Sequence, residues 1–287
     1  MPVDLYKSSN HRCIAFNDLV RGEDGVQANQ FLILNGEHSA LIDPGGALLY
    51  TPVSLAVGRY VSLKSLSWIL ASHQDPDVIG SADRWLMYTG ATIACSKLWG
   101  RFVPHSVPHY VDTGGKDRYL LIPDEGCDIP MGNSVIKALP AHFLHSVGNF
   151  QFYDPVSKIL FSGDLGASMV DEFSPVDAAD FDQHIPTMLG FHRRYMASNR
   201  ACVVWADMVK ELDIEMIVPQ HGRPMRGKAV ARFIDWIRQL ECGTDLMAGP
   251  GRFREGLRLV ADNAPKIPRA QVGPVAPKAN PFEGTGH

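Results

Sequence analysis

The hydrophobic pattern along the chain alternates between two periods. Phe31 to Pro44 reads FLILNGEHSALIDP, two apolar runs separated by Asn35-Gly36, and predicts a hairpin with its turn residues in place. Leu66 to Ala71 (LSWILA) is a continuous apolar run that stops at Ser72-His73; its lack of alternation predicts a strand covered on both faces. Val78 to Tyr88 reads as helix, Ala91 to Cys95 as strand, and Ser134 to Leu139 as a strand leading into Pro140-Ala141-His142. Phe150 to Tyr153 and Lys158 to Phe161 flank Asp154-Pro155-Val156-Ser157 and predict a second hairpin. From Asp182 to Leu212 the apolar residues Ile185, Leu189, Met196, Val203, Met208 and Leu212 follow helical spacing; Ile214 to Val218 returns as a strand, and Arg232 to Leu240 closes with a helix. Strands in two blocks, each followed by helices, predict an α/β fold of two packed mixed sheets with helices outside.

Residues 1–245 form the expected domain. Residues 246–287 are rich in Pro, Gly and Ala, with only Phe253 to Leu259 offering a helical turn, and read equally as a tail lying on the domain or a partner subunit, or as a disordered one. The charge arithmetic, 27 Lys+Arg against 31 Asp+Glu, gives −4, so no cationic field draws nucleic acid. No window approaches a membrane helix, and Met1 to Val20 has no apolar signal core, which points to a cytoplasmic protein. Five cysteines (Cys13, Cys95, Cys127, Cys202, Cys242) without a C-x-x-C pair read as buried thiols rather than as a disulfide framework.

Four segments, each following an apolar run, hold most of the candidate chemistry: Ser72-His73-Gln74-Asp75-Pro76-Asp77, His142-Phe143-Leu144-His145, Ser162-Gly163-Asp164 and Pro219-Gln220-His221-Gly222. A loop directly after a buried strand is held rigidly while its side chains reach solvent, as a metal or catalytic site requires. His73, Asp75 and Asp77 alternate, so extended backbone would turn them to one side, toward one or two cations. The ordinary reading of such a segment is a polar strand terminus. His105 and His109 have i, i+4 spacing, but Pro104 and Pro108 predict a surface loop. Asp43 in LIDPGG is either a supporting carboxylate or a turn former, and His184 and His192 are expected to be solvated.

In these residues the sequence resembles the metallo-β-lactamase superfamily, within it the flavodiiron proteins, and most of all their single-domain oxygen-binding diiron relatives. His73-Gln74-Asp75-Pro76-Asp77, His145-Ser146-Val147-Gly148, Gly163-Asp164 and Gln220-His221-Gly222 occur in the family's order, over about residues 25 to 240. The resemblance implies an αββα four-layer sandwich. It implies that His73, Asp75 and His145 ligate one iron, that Asp77 and His221 ligate the other, and that Asp164 bridges them as a catalytic ligand. Tyr195 would donate a hydrogen bond to a metal-bound ligand; an amphipathic helix tyrosine is the ordinary alternative. His142 competes with His145 as ligand, and the H-S-V-G turn favours His145. A carboxylate at position 75, where zinc hydrolases place a second His, favours iron or manganese, although zinc also accepts Asp. The family's His after the second acid is replaced by Val78, which implies an asymmetric pair with an open position shielded from water.

The expected function is therefore binding of O2, or of NO, at a diiron centre, as sensor, scavenger or reductase. With no flavin site legible in the chain, an external electron donor or a signalling partner is expected, along with a homodimer. The alternative is a binuclear metallohydrolase acting on an ester, thioester or phosphoester.

Overall fold

The computed structural model describes residues 2–20, 27–106, 115–170 and 172–247. Sheet 1 has seven strands in sequence order: β1 (Val3–Lys7), β2 (His11–Phe16), β3 (Gln30–Asn35), β4 (His38–Ile42), β5 (Trp68–Leu70), β6 (Thr92–Ser96) and β7 (Tyr119–Ile122). The first four form an antiparallel meander, and β4 to β7 run parallel. Sheet 2 comprises β8 (Cys127–Met131), β9 (Ser134–Pro140), β10 (Phe150–Asp154), β11 (Ile159–Phe161), β12 (Met216–Val218) and β13 (Met225–Arg226), in the order β13-β12-β11-β10-β9-β8. Only β11 and β12 pair in parallel there. Both predicted hairpins form: Asn35 pairs with His38 across a turn in which Gly36 takes φ +59°, a left-handed backbone that favours glycine, and β10 pairs with β11.

The central strands, such as β3 and β11, are apolar on both faces because both faces are covered. Phe31 and Ile33 of β3 and Ile159 and Phe161 of β11 meet between the sheets, where the Phe31 and Phe161 rings lie 5.0 Å apart. The alternate residues of the same strands, Leu32 and Leu160, face helices. Over sheet 1 lie α1 (Tyr50–Val57), α2 (Pro76–Ile79) and α3 (Ala82–Tyr88); over sheet 2 lie α4 (Phe181–Tyr195), α5 (Asn199–Val209) and α6 (Lys228–Arg238). Three apolar layers thus separate four structural layers, the αββα sandwich. No described helix is long and apolar enough to cross a membrane.

Several elements differ from the sequence expectation. The helix expected over 78–88 is two helices broken at Gly80-Ser81, and it begins earlier because Pro76 sits at the first turn, where its missing N–H costs nothing. The helical stretch 182–212 breaks after Tyr195, where Met196 turns extended. Four of the five cysteines are buried; Cys127 is half-buried. His184 and His192 are enclosed rather than solvated, because they fall on the buried side of α4 with Phe181 and Met188. His109 and everything from 248 onward, including the turn expected at 253–259, lie outside the described residues.

Candidate metal centre

Strand direction gathers the four segments. The ends of β4, β5, β9, β11 and β12 and the start of β10 face one edge of the sandwich, and every expected ligand follows one of those ends or lies in the β9–β10 connection. His73 follows β5 and is almost fully buried. Its Nδ1 lies 2.9 Å from Ser72 Oγ, and that hydroxyl donates to Asp43 Oδ2 at 2.9 Å while the Ser72 N–H donates to Asp43 Oδ1 at 2.8 Å. Having given its only proton to Asp43, Ser72 Oγ can only accept from His73, so Nδ1 carries the proton and the Nε2 lone pair faces the site. Asp43 thus supports the site and also occupies its turn at φ 49°. Burial pushes its pKa up to about 6 against the hydrogen bonds from Ser72.

His221 is fixed the same way, since its Nδ1 donates to the Gln27 carbonyl at 2.5 Å. Its Nε2 lies 3.3 Å from Asp77 Oδ2 and 3.4 Å from Asp164 Oδ1. Burial would lower the His221 pKa, but Asp164 and Asp77 raise it to about 10. On the other side His145 Nε2 stands 2.9 Å from Asp164 Oδ2 and 3.5 Å from Asp75 Oδ2, and His73 Nε2 is 3.6 Å from Asp75 Oδ2 and 3.7 Å from Asp164 Oδ2. Asp164 therefore presents one oxygen to His73 and His145 and the other to His221. Burial would raise its pKa, but the three imidazoles hold it well below the ordinary carboxylate range.

All six expected residues converge, though not by the expected route. The alternation of His73, Asp75 and Asp77 ends at Asp75, which caps α2, so Asp77 reaches His221 from the first helical turn. The nitrogen, Oδ2 and nitrogen of His73, Asp75 and His145 lie within one cation's reach of one another. Two buried atoms here have no hydrogen-bond partner, His73 Nε2 and Asp164 Oδ1. An unsatisfied buried lone pair costs free energy unless a cation or proton meets it, so the donor set fits a pair of metal ions. Its mixture of imidazole and carboxylate suits iron, manganese or zinc.

The remaining candidates divide. His142 turns away, with Nε2 donating to the Asp124 carbonyl at 2.8 Å and its ring edge-on to Phe150. His105 is exposed in the short turn Val103–Ser106. Tyr195, about half exposed, stacks on Phe191 at 4.7 Å and lies 5.5 Å from the His145 ring, at the rim of the site. Val78 is fully enclosed with Val53, Ile79 and Trp85, so its apolar surface serves the contact between sheet 1 and its helices. His192 is a support the sequence reading missed: Nδ1 donates to Met188 O at 2.8 Å, leaving Nε2 to accept the Gly166 N–H at 2.9 Å and pin the turn after Asp164. Its signal was the i, i+4 repeat of His184, Met188 and His192 on one helix face.

Comparison with known proteins identifies the fold and the family. Two solved structures of the chemotaxis sensor ODP are similar over most of their length. One, described as its peroxy diiron species, is 39% identical, covers 85% of this chain and 97% of its own, and has a TM-score of 0.75. The other, the apo state from T. denticola, is 40% identical, covers 86% and 97%, and has a TM-score of 0.74. The flavodiiron protein of Giardia intestinalis shares the fold at 17% identity and a TM-score of 0.65, covering 82% of this chain and 58% of its own. An uncharacterised protein of Methanocaldococcus jannaschii is 27% identical over 204 residues, 69% of this chain and 49% of that protein. The chain spans about half the length of that curated relative, or less than that for another. A family model described as ODP family beta lactamase matches residues 26–222, and with the sandwich and its six converging side chains this places the chain in the ODP family, on the flavodiiron-like branch of the metallo-β-lactamase fold.

Proposed function

We propose that this chain is a non-haem diiron protein that binds dioxygen. His73, Asp75 and His145 would hold one iron, Asp77 and His221 the other, and Asp164 would serve both. The observation that carries the reading is the pair of buried, unpartnered lone pairs, His73 Nε2 and Asp164 Oδ1, inside a set of three imidazoles and three carboxylates. Against two ferrous ions those groups leave about +1, a charge that the site would tolerate because the groups coordinate the ions. Two ferrous ions held there would supply the electrons and the coordination position that dioxygen requires. The protein's own part is to hold both Nε2 lone pairs inward, through Asp43-Ser72 and through Gln27, and to keep bulk water off with Leu144 and Phe191. Tyr195, at the rim, is placed to offer its hydroxyl to a small ligand.

Likeness to a chemotaxis sensor favours signalling over turnover, with a protein partner reading the bound state. Nitric oxide fits the same position. Sustained reduction would draw on an electron donor outside the described residues, and the protein is proposed to act in the cytoplasm as a homodimer. The test is metal analysis of protein purified without air, followed by its optical spectrum before and after dioxygen. The reading requires about two irons per chain and a spectral change on exposure. Efficient ester or thioester hydrolysis by the zinc form, with a spectrally silent ferrous form, would assign a hydrolase instead.

A further inference from the structure

The segment between His73 and Asp75 contains a side chain with no part in the six-residue set. Gln74 is half-buried, and its Nε2 donates to Asp75 Oδ1 at 3.0 Å. Its Oε1 accepts from Ser146 Oγ at 2.5 Å. The direction of this relay is fixed by chemistry. The carboxylate oxygen of Asp75 accepts, so the amide turns its NH2 toward it, which leaves Oε1 to the Ser146 hydroxyl. Ser146 is itself anchored, because its carbonyl accepts from the Phe143 N–H at 2.7 Å within the turn that carries His145.

An aspartate carboxylate swings broadly about its last bond, and either oxygen can lead. With Oδ1 committed to Gln74, Oδ2 is the oxygen that faces His73 and His145 at 3.6 and 3.5 Å. The same relay ties the loop after β5 to the loop after β9, so the two histidines and the carboxylate around the first position move as one unit. We propose that Gln74 and Ser146 form a clamp that selects which Asp75 oxygen meets the first cation and sets that position's affinity. Gln74 is thus a positioning residue of the site. This rests on the two-metal reading above.

The test uses cobalt(II) titration of metal-free protein without air, following the visible absorption of each bound equivalent, with thermal melting of the metal-free form alongside. Gln74→Met keeps length and loses both hydrogen bonds. It should weaken one cobalt equivalent by about 10–100-fold and alter that equivalent's absorption, with the other equivalent unchanged and the metal-free form still unfolding in one transition. Ser146→Ala should weaken the same equivalent less, and the double variant should match Gln74→Met, because the two residues act in series. Unchanged affinity and spectrum in Gln74→Met, equal weakening of both equivalents with a lower melting temperature, or additive losses in the double variant would each overturn the clamp. If Gln74→Met fails to fold, Ser146→Ala carries the same comparison. Cobalt uptake requires neither iron nor dioxygen, so unaltered cobalt binding sinks the clamp alone, whereas a silent ferrous form sinks only the dioxygen reading.

Discussion

Two clusters of imidazole and carboxylate lie at opposite ends of the same sandwich, and of these two only one has the makings of a cation site. At the far end His11 of β2, Cys13 and Asp154 of β10 come together, also within one cation's reach. There every lone pair has a partner. His11 Nδ1 donates to Asn35 Oδ1 at 3.2 Å, because the Asn35 amide already donates to the Met131 carbonyl and to Asn133. His11 Nε2 meets Asp154 Oδ2 at 2.7 Å, and Asp154 further accepts from the Ser157 N–H, the Ser157 hydroxyl and the Val156 N–H. Burial would lower the His11 pKa, yet Asp154 raises it; burial would raise the Asp154 pKa, yet His11 and Ser157 lower it. This is a satisfied ion pair that pins the β10–β11 turn to sheet 1. The ligand end is more open, with Asp75, Asp77 and His145 only part-buried, yet the enclosed atoms His73 Nε2 and Asp164 Oδ1 are left unpaired. Unsatisfied donor atoms, rather than the presence of His and Asp, distinguish a site that needs an ion from one that does not.

The comparison breaks most visibly at the two aspartates. Asp164→Ala should weaken uptake of both metal equivalents by about 100-fold or more, because one carboxylate serves both positions. Metal-to-protein ratio after dialysis measures it, and retention of two tightly held ions would refute the shared role. Asp154→Ala should do the reverse, leaving metal content intact while costing about 3–5 kcal/mol in urea unfolding, the usual cost of stripping one partner from a buried pair.

A smaller effect follows from pH. The raised His11 pKa contributes stability that is fully present below the ordinary imidazole value near 6.5 and is lost as pH rises through the folded value. The lowered Asp154 pKa contributes stability present above the ordinary carboxylate value near 3.8 and lost as pH falls through the folded value. The stability gap between wild type and Asp154→Ala, measured on metal-free protein, should therefore be widest between about pH 4 and about pH 6.5 and narrow on both sides. A gap independent of pH would show that the pair is not ionised. The smallest effect belongs to His142→Ala, which should leave metal stoichiometry unchanged and cost about 1 kcal/mol, since the bond to the Asp124 carbonyl and the edge-on contact with Phe150 are lost.

Much of the fold was legible where covered strands meet strong turn residues. Asn35-Gly36 and Asp154 to Ser157 marked both hairpins, and continuous apolar runs marked β5 and β11. The strands β1, β2, β7, β8 and β13 and the helix α1 went unread. In β2, HRCIAF is flanked by Ser8-Ser9-Asn10 and Asn17-Asp18 but lacks alternation, because His11 is buried by its pairing with Asp154 rather than by being apolar. His184 and His192 were misplaced because a polar residue on an amphipathic helix is ordinarily assigned to water.

The sequence by itself determined the six side chains that could meet, because each follows a strand end in the order of a known family, and it determined His145 over His142 through the turn that follows. Only the tertiary structure decided that Asp77 meets His221 across the two sheets, that Asp43 and Gln27 set the imidazole tautomers, that Gln74 holds Asp75, and that the second His-Asp cluster is self-sufficient. Those are statements about which lone pair faces which proton. Pairs such as His221 with Gln27 and His11 with Asp154 are 194 and 143 residues apart along the chain, and only the packing of one sheet on the other brings them to hydrogen-bond distance.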